Sequence, residues 1–268
     1  MMKKLVLALF AVMLVVPVWA EPLADAVAAH ARGDYAAELQ ITRPLALKGE
    51  ALAQVRLAYA YDMGHGVAQD YNEAVKWYRL AAAQGNAAAQ ANLGQKYARG
   101  LGVGQDYAEA LKWHRLAAAQ GLATAQLNLG MAYENGRGVV QEDAEAVNWY
   151  RLAAAQGLAK AQVNLGYLYS MGRGVVKDDT EAANWYRLAA AQGHAGAQAN
   201  LGLTYGKGRG VGRDDVKALA WLTLGAAKGE PTASFNRDAV ARRMSPQQIT
   251  DAQQMAQECL ARNYQGCD

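Results

Sequence analysis

Small and apolar residues return in phase every 36 residues through the middle of the chain. Ala89, Leu93 and Tyr97 stand at i, i+4 and i+8, a spacing that lines one face of a helix and predicts a helix A over 87–99. The triplet recurs as Ala125, Leu129 and Tyr133, as Ala161, Leu165 and Tyr169, as Ala197, Leu201 and Tyr205, and earlier as Ala53, Leu57 and Tyr61. A helix B follows, with Ala110, Trp113 and Ala117 on its buried face and Leu116 beside them; its Trp recurs at 77, 113, 149, 185 and 221. A fixed period of this length means stacked supersecondary units rather than one globular core. The expected fold class is all-α, a solenoid of about five 36-residue helix-turn-helix repeats with helical caps.

Glycine punctuates the pattern. Gly94 and its copies Gly130, Gly166 and Gly202 lie in mid-helix, where Gly costs about 1 kcal/mol against Ala, so their return implies helix packing too close for a side chain. The pairs that follow, such as Gly100 with Gly102, are expected to end each A helix through a left-handed C-terminal cap. Runs such as GRGVGRDD are not phosphate loops, because such a loop needs one Gly-rich turn between a strand and a helix, and here helices flank every copy. Asp106 with Glu109 reads as an N-cap with its reciprocal capping residue, repeated at Asp70 with Glu73 and Asp178 with Glu181; Glu142 is a poorer cap.

The two ends differ from the repeats. Residues 1–20 read as a signal peptide: a short basic start, an apolar run from Leu5 to Val16, and small residues before Glu21. That run is too short for the about 20 apolar residues a membrane span needs, so no integral span is expected after cleavage. Residues 21–50 and 231–268 are expected as helical caps around repeats 51–230, with Ser245 and Gln248 forming a capping box and Pro246 at the first helical position. The net charge is +3 for the full chain; removing Lys3 and Lys4 brings it near +1, which argues against nucleic acid as a partner. Cys259 and Cys267 are the only cysteines, and in an exported protein this pair reads as a disulfide that ties the tail.

With A-x-A-Q-x-N-L-G-x-x-Y in helix A, a G-x-G-V loop, and A-x-x-W-Y-R-L-A-A-A-Q-G in helix B, the units resemble Sel-one-like repeats, relatives of the tetratricopeptide repeat. The resemblance covers 51 to about 230. It implies a right-handed α/α superhelix that acts as an adaptor for protein partners, often in bacterial envelopes or among secreted factors, without a cofactor. His114 and Leu222 depart from it where Tyr78, Tyr150 and Tyr186 recur, departures expected to affect only the unit edges.

Candidate chemistry is sparse. None of Ser170, Ser234 and Ser245 has Lys at the third following position, as serine β-lactamase chemistry requires. That matters because some cysteine-rich relatives have been linked to β-lactam binding, and this chain lacks their cysteine pair in every repeat. His30, His65, His114 and His194 show no metal-ligand spacing, and ordinary packing or surface roles are expected for them.

What varies between repeats has two readings, a binding surface or an apolar stripe that packs on neighbouring helices while its Asn neighbours brace the stack. The helix A face turned away from the recurring triplet reads Val55, Tyr59, Met63; Ala91, Gln95, Arg99; Leu127, Met131, Asn135; Val163, Tyr167, Met171; and Ala199, Leu203, Lys207. Beside it runs a polar ladder of Asn92, Asn128, Asn164 and Asn200, with Arg56 at its head. The expected function is that of an exported, periplasmic or secreted, non-enzymatic adaptor or scaffold holding a protein or peptide along the A helices, through Tyr59, Met63, Asn92, Asn128, Met131, Asn164, Tyr167, Met171 and Asn200. The alternatives are a weak, β-lactamase-like hydrolase or a peptidoglycan-directed envelope protein, and a structural surface protein using its B helices.

Overall fold

The computed structural model describes residues 20–267, so the expected signal segment falls outside the described residues except for its last position. Among the described residues there are fourteen helices and no strand, an all-α solenoid in which consecutive helices pack on one another from residue 20 to 83 and from 87 to 241. The helices group into two compact units, divided after Gln84.

The first unit holds α1 (Ala20–Ala31), α2 (Tyr35–Leu47), α3 (Ala51–Met63) and α4 (Tyr71–Ala83). Leu39 and Ala46 of α2 close over Ala53 and Leu57 of α3, so the α1–α2 pair covers the apolar face of the first full repeat. A buried carboxylate is built into this cap. Glu38, only 4% exposed, accepts from Arg56 and lies 2.7 Å from His30 Nδ1.

The second unit continues through α5 (Ala87–Arg99), α6 (Tyr107–Ala119), α7 (Ala123–Asn135), α8 (Asp143–Ala155), α9 (Ala159–Met171), α10 (Asp179–Ala190), α11 (Ala195–Lys207) and α12 (Asp215–Ala227). It ends with α13 (Pro231–Ala241) and α14 (Pro246–Ala261). The A helices are α5, α7, α9 and α11, and each begins and ends where the periodicity places it.

Local chemistry explains these limits. Asp106 Oδ1 accepts from the backbone N–H of Glu109 at 2.9 Å, and Asp70 and Asp178 cap α4 and α10 in the same way. The reciprocal half of the expected box does not form, because Glu73 and Glu109 turn to Lys76 and Lys112, three residues on. Glu142 makes no side-chain cap, whereas Ser245 and Gln248 form the full box at α14. At the other end, Gly136 takes φ 66° as the left-handed cap of α7. The second Gly, as at Gly138, Gly174 and Gly210, is left-handed too and serves close packing as well. A Cβ on Gly174 would stand 2.2 Å from the Asp143 carbonyl carbon, so the loop can seat on the start of α8 only without a side chain.

The mid-helix glycines meet the expected close approach, and the partner is specific. A Cβ on Gly130 would lie 2.5 Å from the ring of Tyr150, and one on Gly94 or Gly166 would lie 2.8 Å from His114 or Tyr186. The column after the Trp is therefore the deepest part of helix B, with Tyr150 and Leu222 both 0% exposed. This corrects two expectations. His114 and Leu222 are core substitutions rather than changes at unit edges, and Leu116, with Leu152 and Leu188, is half exposed instead of flanking the buried face. The Trp itself is half-buried at 77, 113, 149 and 185 and fully buried only at 221. The physical reason is that one residue's step turns the side chain by about 100° around the helix, which exchanges edge and centre.

The recurring glutamines form a ladder. Gln156 Nε2 donates to Gln126 Oε1 at 2.8 Å and to the Gly121 carbonyl at 2.8 Å, and Gln120 repeats both bonds to Gln90 and Gly85. Gln192 with Gln162 continues it, and Gln84 with Gln54 does the same inside the first unit. The Gln at each helix B end thus ties its repeat to the turn before it, satisfying an amide buried near the start of helix A. Arginine adds a second tie, as Arg151 donates to the Tyr169 hydroxyl at 2.7 Å and Arg115 to that of Tyr133 at 3.1 Å.

In the tail, Cys259 and Cys267 are joined by a disulfide. Gln265 donates to the Ala191 carbonyl at 3.0 Å and Lys228 lies over the Tyr264 ring at 4.3 Å, so the bridged turn is docked against α10 and α12.

Candidate functional site

The variable A-helix face divides into two layers. Ala91, Leu127 and Ala199 are buried, because each A helix is gripped by its own B helix on the side opposite the recurring triplet; Ala91 packs with Leu111, and Leu127 with Val147. The expectation that packing leaves these three free is corrected. The later members of each set stay accessible: Tyr167 is 42% and Met171 57% exposed. Tyr59 and Met63 of the first unit are exposed too, with Tyr59 set beside the rings of His30 and His65. Met131 is half-buried against the α8–α9 core. Asn92, Asn128, Asn164 and Asn200 are half-buried. Arg56 does not head an open ladder, since Glu38 and the Ala26 carbonyl hold it.

Two cavities open on this face at the same register of the repeat. One, of about 180 Å3, is lined by Arg99, His114, Asn128, Met131 and Arg137 among others; the second, of about 150 Å3, lies 72 residues on and is lined by Tyr167, Tyr186, Asn200, Lys207 and Arg209. Of the residues expected to bind, the structure thus brings Asn128 together with Met131, and Tyr167 together with Asn200.

The position between them carries a polar network. Tyr150 donates to Glu134 Oε2 at 2.6 Å, and Arg173 pairs with Glu134 at 3.4 Å and, through two nitrogens, with Asp143 at 3.0 and 2.7 Å. Burial first, then the Glu134 carboxylate, pushes the Tyr150 phenol well above its usual range, so it stays a donor. The bonds to Asp143 in turn raise the Arg173 guanidinium. One repeat earlier, burial lowers the His114 imidazole to about 4, and its Nδ1 has no hydrogen-bond partner among the described residues.

Glu134, Arg137, Arg173 and Arg209 were outside the stripe read from the sequence. Their signal was present: the middle residue of the G-x-G loop reads Arg137, Arg173 and Arg209 in three successive repeats, a charge that backbone geometry does not require.

Hydrolytic machinery does not assemble around the serines. Ser170 and Ser234 donate to the carbonyls of Tyr167 and Glu230, and Ser245 caps α14. Among the described residues no cluster of three or more His, Cys, Asp or Glu could hold a metal ion, and no helix is long and apolar enough to cross a membrane.

Fourteen helices arranged as tandem pairs, with side-chain-lined cavities at a repeating register, define a helix-pair repeat protein. The Sel1 repeat model matches 51–86, 87–122, 123–158, 159–194 and 195–230, and the chain belongs to the Sel1 repeat family. No curated protein sequence matches the chain. Among solved structures it is similar to a Sel1 repeat protein from Oxalobacter formigenes, at 31% identity and TM-score 0.77, covering 88% of this chain and 97% of that one. It is also similar to a protective antigen of uropathogenic Escherichia coli displaying an SLR fold, at 36% identity and TM-score 0.74, covering 84% of this chain. This chain spans about half the length of that antigen, 49%. Proteins of Sel1 repeats generally mediate protein–protein interactions.

Proposed function

We propose that this protein is an exported adaptor or scaffold, periplasmic or secreted, that holds a protein or peptide partner along the exposed A-helix face and catalyses no reaction. The observation that carries this reading is the return of a cavity at the same register 72 residues apart, each flanked by side chains that inter-repeat packing leaves accessible. Adaptable Met beside rigid Tyr is the composition of a recognition surface, and the arginines and asparagines add oriented donors.

A photocrosslinking residue placed at Met131 or Tyr167 tests it in cells. Crosslinks to one discrete partner from these positions, absent from Leu152, support the A-helix reading. The reverse pattern supports a second reading, in which Leu116, Leu152 and Leu188, each 50% exposed at the same register of successive B helices, form the docking stripe. Steady turnover of peptidoglycan fragments or of a chromogenic β-lactam by the purified protein overturns both in favour of a hydrolase.

A further inference from the structure

One position of the repeat carries its own ligand, and the preceding position lacks it. The Glu134 carboxylate is received by the Tyr150 hydroxyl at 2.6 Å and the Arg173 guanidinium at 3.4 Å. Thirty-six residues earlier, Ala98 stands where Glu134 does, His114 where Tyr150 does, Asn128 where Asn164 does and Arg137 where Arg173 does. All four line the cavity of about 180 Å3. The hole is the space from which a carboxylate side chain and part of a phenol are missing.

The charge left behind is uncompensated. Arg173 has Asp143 as a second acceptor, but Tyr107 occupies that column in the earlier repeat, and the Arg137 guanidinium lies over its ring at 5.9 Å. Neither Arg137 nor Arg99 forms an ion pair among the described residues, and no acidic side chain lines the cavity. His114 adds a buried ring, 5% exposed, whose Nδ1 has no hydrogen-bond partner among the described residues. A pocket with two cations, an amide and no anion is complementary to a carboxylate.

We propose that this cavity, bounded by α5, α6 and α7, is a binding site for the carboxylate of a Glu or Asp side chain presented by a partner polypeptide, with Arg137 and Asn128 as donors. An acidic side chain, rather than a chain terminus, is the occupant because a glutamate side chain fills the equivalent place inside the protein itself. Half-buried Met131 and the Tyr107 ring provide the apolar walls for its methylene stem. The proposal deepens the adaptor reading and rests on it only for the source of the side chain.

The test titrates the protein, labelled at its methionine methyls, with the α-amide of N-acetylglutamate, and in parallel with the glutamine analogue and N-acetylglycine. The expected result is a saturable shift of the Met131 methyl with the glutamate compound and binding weaker by about tenfold or more with the glutamine one, the loss of one charge-assisted contact. Arg137→Gln, at an exposed loop position, should weaken the glutamate compound by a similar factor. Ala98→Glu should abolish binding by restoring the internal carboxylate while leaving the melting temperature unlowered; if that variant is destabilised, Arg137→Gln decides. No saturable shift, equal binding of the glutamine compound, or undiminished binding by Arg137→Gln overturns the site. Tighter binding of N-acetylglycine overturns the side-chain assignment in favour of a chain terminus. Crosslinking at Tyr167 does not depend on this titration, so the adaptor reading and the carboxylate pocket can fail separately.

Discussion

The hydroxyl of Tyr150 reaches Glu134 Oε2 at 2.6 Å, and the residue that buries a ring one repeat earlier, His114, has Ala98 in the corresponding place. The two columns change together. Tyr186 has Ser170 in that place, and Tyr78 lies 3.5 Å from Asp62 within the first unit, whereas Leu222 stands with Gly206. A phenol carried into the core brings a hydroxyl that needs an acceptor, and where the phenol is missing the acceptor is missing too.

Although Ala58 fills the column in the first repeat, Gly130 should tolerate no side chain. In Gly130→Ala the new Cβ would stand 2.5 Å from a ring that is itself fully buried, so overpacking of about 1 to 3 kcal/mol should outweigh the gain of roughly 1 kcal/mol in helix propensity. Gly104→Ala, with nothing within 4 Å and no positive φ, is the control and should melt at or above the wild-type temperature. Thermal denaturation of both variants checks this.

Core and surface on one helix should separate in the same experiment. Leu165 is 0% exposed and Leu165→Ala should cost about 2 to 5 kcal/mol. Tyr167, two residues on and 42% exposed, should lose under about 0.5 kcal/mol of stability on Tyr167→Ala while partner binding weakens by about 1 to 2 kcal/mol. If the two variants melt alike and the folded fraction of Tyr167→Ala binds normally, the stripe is core.

His114 should make stability acid-sensitive. Its folded value, about 4, lies below its ordinary value of 6.5, so the unfolded chain takes up a proton first as pH falls. The stability is fully present above pH 6.5, declines as pH drops toward 4, and is then lower by about 3 kcal/mol. His114→Leu should flatten that window by one proton, since Leu already fills this column at 222 against Gly202. His194, which burial also lowers, contributes equally to both proteins and cancels in the comparison. Urea midpoints measured from pH 4 to pH 7.5 read the difference.

Opening the tail disulfide should act locally. Cys259→Ala with Cys267→Ala removes a short closed loop worth about 2 to 3 kcal/mol to the terminal turn, and with it the docking of Gln265 on α10. Hydrogen exchange should rise through α14 and remain unchanged in α5 to α9. Uniform loss of protection across the repeats would show that the tail stabilises the whole unit.

The repeat architecture was legible because period and helix geometry are local quantities: Ala, Leu and Tyr at i, i+4 and i+8 define a face whatever packs on it, and the limits of α5, α7, α9 and α11 follow from Gly and the turn between. The tail disulfide and the Ser245 capping box were equally local. Tertiary structure decided what depends on two helices meeting. It placed the residue after each Trp, and not Leu116, against the Gly column, because inter-helix angle and roll choose which neighbouring side chain enters the gap. It buried Ala91, Leu127 and Ala199 on a face the periodicity left open, since the A helix is held from two sides. The cavity at His114 was the least legible feature. It is made by a side chain that is absent, Ala98 in place of a carboxylate, and an absence becomes a site only when the residues around it are brought together in space.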